Sequence, residues 1–466
     1  MKDRIKDILA SNGIEPVSER LRHFEEWAVT RLWKQYDEEI MNQRLITENS
    51  MRQLGLRLPN GTVGKPYTAV LSIPAGLVSL TGAAISPDTG LAAEIRGNDI
   101  LVSGTPLSPG DTELTIAYNP PGTFDGEPAS SLRIPVAFNP DPRSLWRDIP
   151  TPREIPFYKP DSDMEYLRVE AAPDGTPRKD VVAASRRGRS HAQEGNARDD
   201  DFRLFHCPDS DWYIIAVADG AGSARFSRRG SEIACDTVVE YCKGKLLDNR
   251  GFEEAVRAYH EAPESADTRK RLFAFVYDIV GNGAFLAHKA INAASDALDG
   301  TKPKDFATTL MFAVCKRFDF GWFVANYWVG DGAACIYDRK KGMAKLLGVP
   351  DEGEFSGQTR FLTMPEIFRD PQKVADRLRF GIYEDFTALL LMTDGVSDPM
   401  FETDVNLNSP ARWDALWDTL RQGFPEDGIP GVDLTDDNEG AKEQLLRWLD
   451  FWSPGNHDDR TIAILY

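Results

Sequence analysis

A chain of 466 residues exceeds one ordinary core and, at roughly 100 to 200 residues per domain, should divide into two or three. Its 41% hydrophobic and 27% charged residues exclude wholesale disorder. The formal charge of −19 excludes a general affinity for nucleic acid or anionic membrane, and the basic run Arg186-Arg187-Gly188-Arg189 reads as a solvated turn.

Residues 1–8 alternate in charge and carry no secretory signature, and no apolar run reaches about 18 residues, so the expectation is a cytoplasmic protein without a membrane span. Residues 1–52 read as helical, because Ile5, Ile8 and Leu9, then Leu21, Phe24, Trp27, Ala28 and Leu32, recur at three- and four-residue spacing among charges. A packed helical hairpin is expected there. Over residues 53–139 the texture changes to short β-prone runs punctuated by Gly, Pro, Asn and Asp, as in 67–73 and 112–118, which predicts a small all-β sandwich. Within it, Ile100-Leu101-Val102-Ser103-Gly104-Thr105-Pro106 followed by Leu107-Ser108-Pro109-Gly110-Asp111 resembles the strand-turn-strand signature of bacterial immunoglobulin-like repeats, modules that serve as spacers or docking surfaces.

Residues 140–180 hold Pro140, Pro142, Pro150, Pro152, Pro156 and Pro160 and are expected to form an extended linker. From 181 to 466 the pattern is mixed α and β. Apolar strands are predicted at 213–218, 308–316, 322–329, 388–393 and 461–465, with amphipathic helices at 229–247, 268–294, 413–422 and 440–451. Gly281-Asn282-Gly283 lies inside a helical pattern without the preceding strand a nucleotide loop needs, and reads as a helix break. Cys207, Cys235, Cys242, Cys315 and Cys335 are odd in number and unclustered, as reduced core thiols are.

Aspartates recur at strand ends: Val217-Ala218-Asp219-Gly220, Val329-Gly330-Asp331-Gly332, Met392-Thr393-Asp394-Gly395, and Asp458-Asp459 just before the last strand. A single Asp-Gly is ordinary turn chemistry. Several carboxylates beside buried sheet cost free energy through desolvation and repulsion unless a cation offsets them. Oxygen donors without a Cys-x-x-Cys or paired-histidine motif select Mg²⁺ or Mn²⁺, and glycine after Asp219 lets the backbone approach closely.

In order along the chain, these motifs resemble the metal-dependent type 2C serine/threonine protein phosphatases of the prokaryote-style branch. The resemblance spans about 183–466. It rests on Ser190-His191 through Arg198-Asp199-Asp200-Asp201-Phe202, Ala218-Asp219-Gly220-Ala221-Gly222-Ser223, Phe306-Ala307-Thr308-Thr309-Leu310, Val329-Gly330-Asp331-Gly332, Thr393-Asp394-Gly395-Val396-Ser397-Asp398 and Asp458-Asp459-Arg460-Thr461. It implies an α+β fold, a four-layer α-β-β-α sandwich of two antiparallel sheets. It also implies that Asp219 bridges two Mn²⁺ or Mg²⁺ ions with the Gly220 carbonyl on one of them. Asp394 and Asp458 would complete the second ion's shell, Asp199 or Asp200 would hold metal or its water, and Asp331 with Asp394 would form a weaker third site. Catalysis would then rest on Asp200, Asp219 and Asp394, with a metal-activated water attacking phosphorus and no covalent phosphoenzyme.

Three positions depart from the family pattern: Ala221 stands where some members carry a histidine, Ala307 replaces a glycine, and Gly195 sits at the usual phosphate-binding arginine, for which Arg189 or Arg198 are the candidate substitutes. His191 is a candidate contact to substrate phosphate, and His457 is expected to shape a turn. Residues 342–383 would form the flap beside the site. No cysteine has an arginine six positions later, which removes the main support for a thiolate mechanism. The implied partners are phosphoserine and phosphothreonine proteins; for the N-terminal extension three roles stand open, a tether to a kinase or other signalling partner, an autoinhibitor over the active site, or an aid to solubility. The rival readings are a catalytically weak or inactive phosphatase-like scaffold that binds phosphoproteins, and a metal-dependent phosphodiesterase or nuclease.

Overall fold

The computed structural model describes residues 2–13, 18–87, 89–123, 126–172, 174–351 and 359–466. It divides into two compact units, Met1–Trp146 and Arg147–Tyr466.

The first unit carries helices α1 (Lys2–Ser11) and α2 (Ser18–Gln53) and strands β1 (Gly61–Thr62), β2 (Tyr67–Ser72), β3 (Ser79–Ser86), β4 (Leu91–Arg96), β5 (Asp99–Gly104), β6 (Gly110–Asn119) and β7 (Ser130–Asn139). Two sheets form, β1-β7-β6-β3 and β2-β5-β4. In β6 inward and outward positions alternate, so Leu114, Ile116 and Tyr118 join Ile100, Val102, Val136 and Phe138 in one core. Two helices stand where the hairpin is expected, α1 and the 36-residue α2, and residues 14–17 between them lie outside the described set. Apolar spacing specifies a helix without specifying what covers it, and Phe24, Trp27, Leu32 and Trp33 are exposed along α2. Its end is anchored on the sheets: Met51 enters the β core, and Arg44 donates to the Pro128 carbonyl (2.7 Å) and Ser130 Oγ (3.0 Å).

The second unit contains strands β8 (Ser162–Leu167), β9 (Val181–Arg186), β10 (Asp201–His206), β11 (Trp212–Ala218), β12 (Leu310–Phe318), β13 (Gly321–Val329), β14 (Ala333–Asp338), β15 (Met343–Leu346), β16 (Leu378–Tyr383) and β17 (Ala388–Met392). A two-residue pair, β18 (Gly423–Phe424) and β19 (Ile429–Pro430), precedes the last strand, β20 (Arg460–Leu465). Its helices are α3 (Arg189–Glu194), α4 (Ser227–Leu246), α5 (Arg250–Glu261), α6 (Ala266–Val276), α7 (Asn282–Asp296), α8 (Pro371–Ala375), α9 (Asp394–Phe401), α10 (Pro410–Gln422) and α11 (Ala441–Trp448).

Two antiparallel sheets, β10-β11-β12-β13-β16 and β15-β14-β17-β20-β9-β8, pack face to face. The period of two along β11 shows the layering: Tyr213, Ile215 and Val217 meet the other sheet, whereas Trp212, Ile214, Ala216 and Ala218 meet α4 to α7. Trp413 and Leu416 of α10 and Leu445 and Trp448 of α11 cover the far side of the six-stranded sheet. The four-layer expectation agrees with this arrangement.

Three local expectations differ. Residues 147–180 belong to the second unit, since β8 extends its sheet by pairing with β9 and Lys159 is buried against Asp201 (2.8 Å). Proline-rich backbone cannot supply a full ladder, but its side chains and carbonyls are still available for packing. The basic run is no solvated turn, because Arg187 is buried and pairs with Asp148 (2.7 Å) and Asp161 (3.2 Å). Gly281-Asn282-Gly283 continues the helix through a π turn at Tyr277–Gly281, and a Cβ on Gly281 would lie 3.2 Å from Val374, so the small residue permits close packing instead of a break. Of the flap stretch 342–383, residues 352–358 lie outside the described residues. No helix among the described residues is long and apolar enough to cross a membrane.

Candidate metal centre

Strand pairing converts separated motifs into one site. Asp219 follows β11, Asp331 follows β13, and Asp394 opens α9 directly after β17. Carboxylate oxygens of these three lie within 4.8 Å of one another. The backbone beneath is pinned from β12's entrance: Asp219 N donates to Thr309 Oγ1 (2.9 Å), while Thr309 N (2.8 Å) and Thr308 Oγ1 (2.9 Å) donate to the Asp219 carbonyl. Gly220 bridges to Thr308, and a Cβ there would lie 2.6 Å from the Asp199 carbonyl, so only glycine brings these two segments together.

Asp200 is wholly buried at the entrance to β10. Its Oδ2 accepts from Thr461 Oγ1 (2.6 Å) and Thr393 Oγ1 (2.9 Å). Asp458 is exposed and stands with His191 and Asp459 in a second group whose ligand atoms share the same 4.8 Å limit. Asp459 is the organiser of that group. It accepts from Gly188 N (2.6 Å) and Asp199 N (2.5 Å), and sits 3.0 Å from His191 Nδ1. His191 Nε2 is 3.7 Å from Asp199, which also faces Arg228 at 3.9 Å.

The remaining sequence candidates are placed differently. Arg198 is 1% exposed and donates to Ser185, the Asp200 carbonyl (3.0 Å) and the Pro160 carbonyl (3.3 Å), which makes it core scaffolding and not a phosphate contact. Arg189 pairs with Asp450 (3.0 Å) and lies over the Trp452 ring. The substitutes proposed for the missing arginine are therefore both committed to other groups. The His457 carbonyl holds the start of α3 through Ser190 N (3.1 Å) and Oγ (2.8 Å), as a turn-shaping residue would. Sequence reasoning passed over Asp459 and Lys159. The doubled Asp458-Asp459 was the signal for the first; a lysine among prolines gave none for the second.

The electrostatics are those of crowded carboxylates. Burial, then repulsion from Asp394, Asp200, Asp458 and Asp331, pushes Asp219 well above the usual range, and burial with Asp331 and Asp458 does the same to Asp394. Burial and Asp459 push Asp200 up to about 7 and Asp199 up to about 6; burial and Asp331 push Asp398 up to about 6. Burial also works on Asp459, yet His191 and the two backbone N–H donors hold it below its ordinary value. Burial opposes charge on His191, but Asp459 and Asp199 carry it up to about 10. Asp200 Oδ1 and Asp394 Oδ1 are buried without a hydrogen-bond partner. Oxygen donors that repel one another and lack protein donors fit a hard divalent cation.

A pH dependence follows. Carboxyls raised in the fold stabilise it fully below the ordinary carboxylate range, and that contribution is lost as pH rises through about 6 to 7. In EDTA the Tm is expected to fall by ~5 °C or more between pH 5 and pH 8. Repulsion across a chain of −19 acts in the same direction, so the discriminating readout in differential scanning fluorimetry is the ion-induced rise in Tm, expected to be larger at pH 8 than at pH 5.

Residues 187–450 match the family model described as Protein phosphatase 2C, more than half of the chain. The chain belongs to the protein phosphatase 2C family. The matched span includes Asp199, Asp200, Asp219, Asp331 and Asp394 and ends before Asp458. Among solved structures, this family member is similar to a bacterial serine phosphatase at 15% identity, covering 61% of this chain and 96% of that one with a TM-score of 0.34. It is similar to the S. agalactiae serine/threonine phosphatase at 16% identity, covering 66% and 99% with a TM-score of 0.32. It is also similar to the catalytic domain of the serine/threonine protein phosphatase PstP in complex with two manganese ions, at 15% identity, covering 65% and 98% with a TM-score of 0.33. No curated protein matches the chain.

Proposed function

We propose that this protein phosphatase 2C member is a metal-dependent protein serine/threonine phosphatase that hydrolyses phosphomonoesters without a covalent phosphoenzyme. The observation that carries the reading is the convergence of Asp219, Asp331 and Asp394 with the unpartnered buried oxygens of Asp200 and Asp394. In this reading Asp219 and the Gly220 carbonyl, with Asp394 and Asp458, hold two Mn²⁺ or Mg²⁺ ions, and Asp331 with Asp394 serves a weaker third. When bound, such ions neutralise the phosphoryl oxygens and acidify a water for direct attack on phosphorus.

The chain's own part is positional. Thr393 and Thr461 fix one oxygen of Asp200, so that its other oxygen is free for the cation or its water. Asp459 fixes His191 and, through the Asp199 N–H, the course of the acidic segment. Between the two carboxylates offered for one role, Asp200 is favoured: it adds to the repulsion on Asp219, whereas Asp199 is turned toward His191 and Arg228. The N-terminal unit is read as a docking module for a kinase or other signalling partner.

Turnover of p-nitrophenyl phosphate and of bis(p-nitrophenyl) phosphate with Mn²⁺, Mg²⁺ or EDTA tests the reaction class. Metal-dependent hydrolysis of the monoester well above that of the diester is expected. A preference for the diester would replace the phosphatase reading with a phosphodiesterase.

A further inference from the structure

A cavity of ≈ 740 Å³ opens beside the Asp331 turn, within the size range of ligand sites. It shares structure with the metal centre at two points. Asp351, one of its walls, accepts from Gly330 N (3.1 Å), and Arg360, another, follows Thr359, whose hydroxyl donates to Asp331. Two walls of the cavity are therefore tied to the same turn that presents Asp331.

The charge of these walls is unlike that of the rest of the chain. Arg377 neutralises Asp351 through paired contacts, including Nη2 to Oδ1 at 2.8 Å. Arg360, Lys373 and Arg379 form no ion pair among the described residues, and Arg379 Nη1 spends its hydrogen bonds on the carbonyls of Asp376 (2.7 Å) and Leu378 (2.8 Å). Against these three cations stand the wall carboxylates Asp376 and Asp404. A locally cationic groove beside an aspartate cluster, in a chain of −19, runs against the field that would otherwise repel an acidic ligand.

We propose that this groove docks acidic side chains flanking the phosphorylated residue of a protein substrate, with Lys373, Arg379 and Arg360 as the recognising cations. The proposal rests on the phosphatase reading and adds a substrate class to it. Lys373 in α8 and Arg379 in β16 are exposed, so both can be altered without entering the core.

The test uses the full chain with Mn²⁺ and three substrates: p-nitrophenyl phosphate, a phosphothreonine peptide flanked by Asp and Glu, and the same peptide flanked by Ala. Wild type is expected to favour the acidic peptide in kcat/KM by about tenfold, an advantage that shrinks as salt is raised. Lys373→Glu with Arg379→Glu is expected to remove that preference, to leave p-nitrophenyl phosphate turnover unchanged, and to gain activity on a lysine-flanked peptide. Misfolding cannot produce that gain. Fluorescence anisotropy with the same peptides reads docking independently of turnover. A chain that binds the acidic peptide preferentially but hydrolyses nothing would overturn the phosphatase reading and keep the docking groove. Intact p-nitrophenyl phosphate turnover with no acidic preference in wild type, or with one that survives the double substitution, would overturn the groove alone.

Discussion

Asp219→Asn is expected to lower turnover of a phosphothreonine peptide by about 10³-fold or more and, in EDTA, to raise the Tm. Both effects come from one cause. Asp219 is the carboxylate most crowded by others, with Asp394, Asp200, Asp458 and Asp331 all acting on it. An amide removes a carboxyl that the metal-free fold must either protonate or hold charged against burial and repulsion, so the apo protein gains stability. The same change removes the anionic oxygen proposed to hold two ions, so ion-induced stabilisation and turnover are lost together. Paired scans with and without Mn²⁺, beside a kcat measurement, check the account. A variant that loses activity yet is less stable in EDTA would mean that Asp219 is a structural residue.

The second large effect is on folding. Lys159 Nζ contacts Asp201 (2.8 Å), the Asp200 carbonyl (3.0 Å) and Ser231 Oγ (3.2 Å), and Ser231 Oγ in turn donates to the Asp199 carbonyl (2.5 Å). Removing one partner of a buried pair leaves the other charge uncompensated, at a cost of about 3–5 kcal/mol. Asp201 keeps Arg203 at 2.5 Å, which places Lys159→Ala at the lower end, about 3 kcal/mol. Denaturant unfolding measures it. The double variant Lys159→Met with Asp201→Asn is expected to lose less than the two single changes summed, because Lys159 and Asp201 are neutralised together and Arg203 keeps Asp236 at 2.6 Å. Strict additivity of the two would contradict a coupled buried pair. Because Lys159 lies in the proline-rich segment, a chain cut at residue 181 is expected to be far less stable than one cut at 147.

These two residues mark what sequence reading can and cannot reach in this protein. Asp219, Asp331 and Asp394 were legible because each follows a strongly apolar strand, and a strand end followed by Asp-Gly or Gly-Asp is visible without knowing what the strand pairs with. Their convergence needed the topology, in which the ends of β11, β13 and β17 meet. Strands β8, β9, β10, β14 and β16 were harder to see because polar or charged positions interrupt or close their apolar runs, as in Ser162–Leu167 and Leu378–Tyr383. Arg198 illustrates a further limit. Its position beside the acidic motif suggested a phosphate contact, but a guanidinium that finds Ser185 and two backbone carbonyls is satisfied inside the core. That supply depends on how the fold turns Ser185, Pro160 and the neighbouring Asp200 toward the guanidinium, and the burial of Lys159, in a stretch that composition alone assigns to a linker, depends on the fold in the same way. Asp459 belongs to the same class: its acceptor role depends on Gly188 and Asp199 arriving from the other end of the unit.

The most direct test of the central claim is release of inorganic phosphate from a phosphothreonine peptide by the full chain, in Mn²⁺ and in EDTA, for wild type and Asp394→Asn. The account predicts turnover that requires the ion and falls by about 10³-fold in the variant. Equal phosphate release in EDTA, or an Asp394→Asn protein as active as wild type, would contradict it.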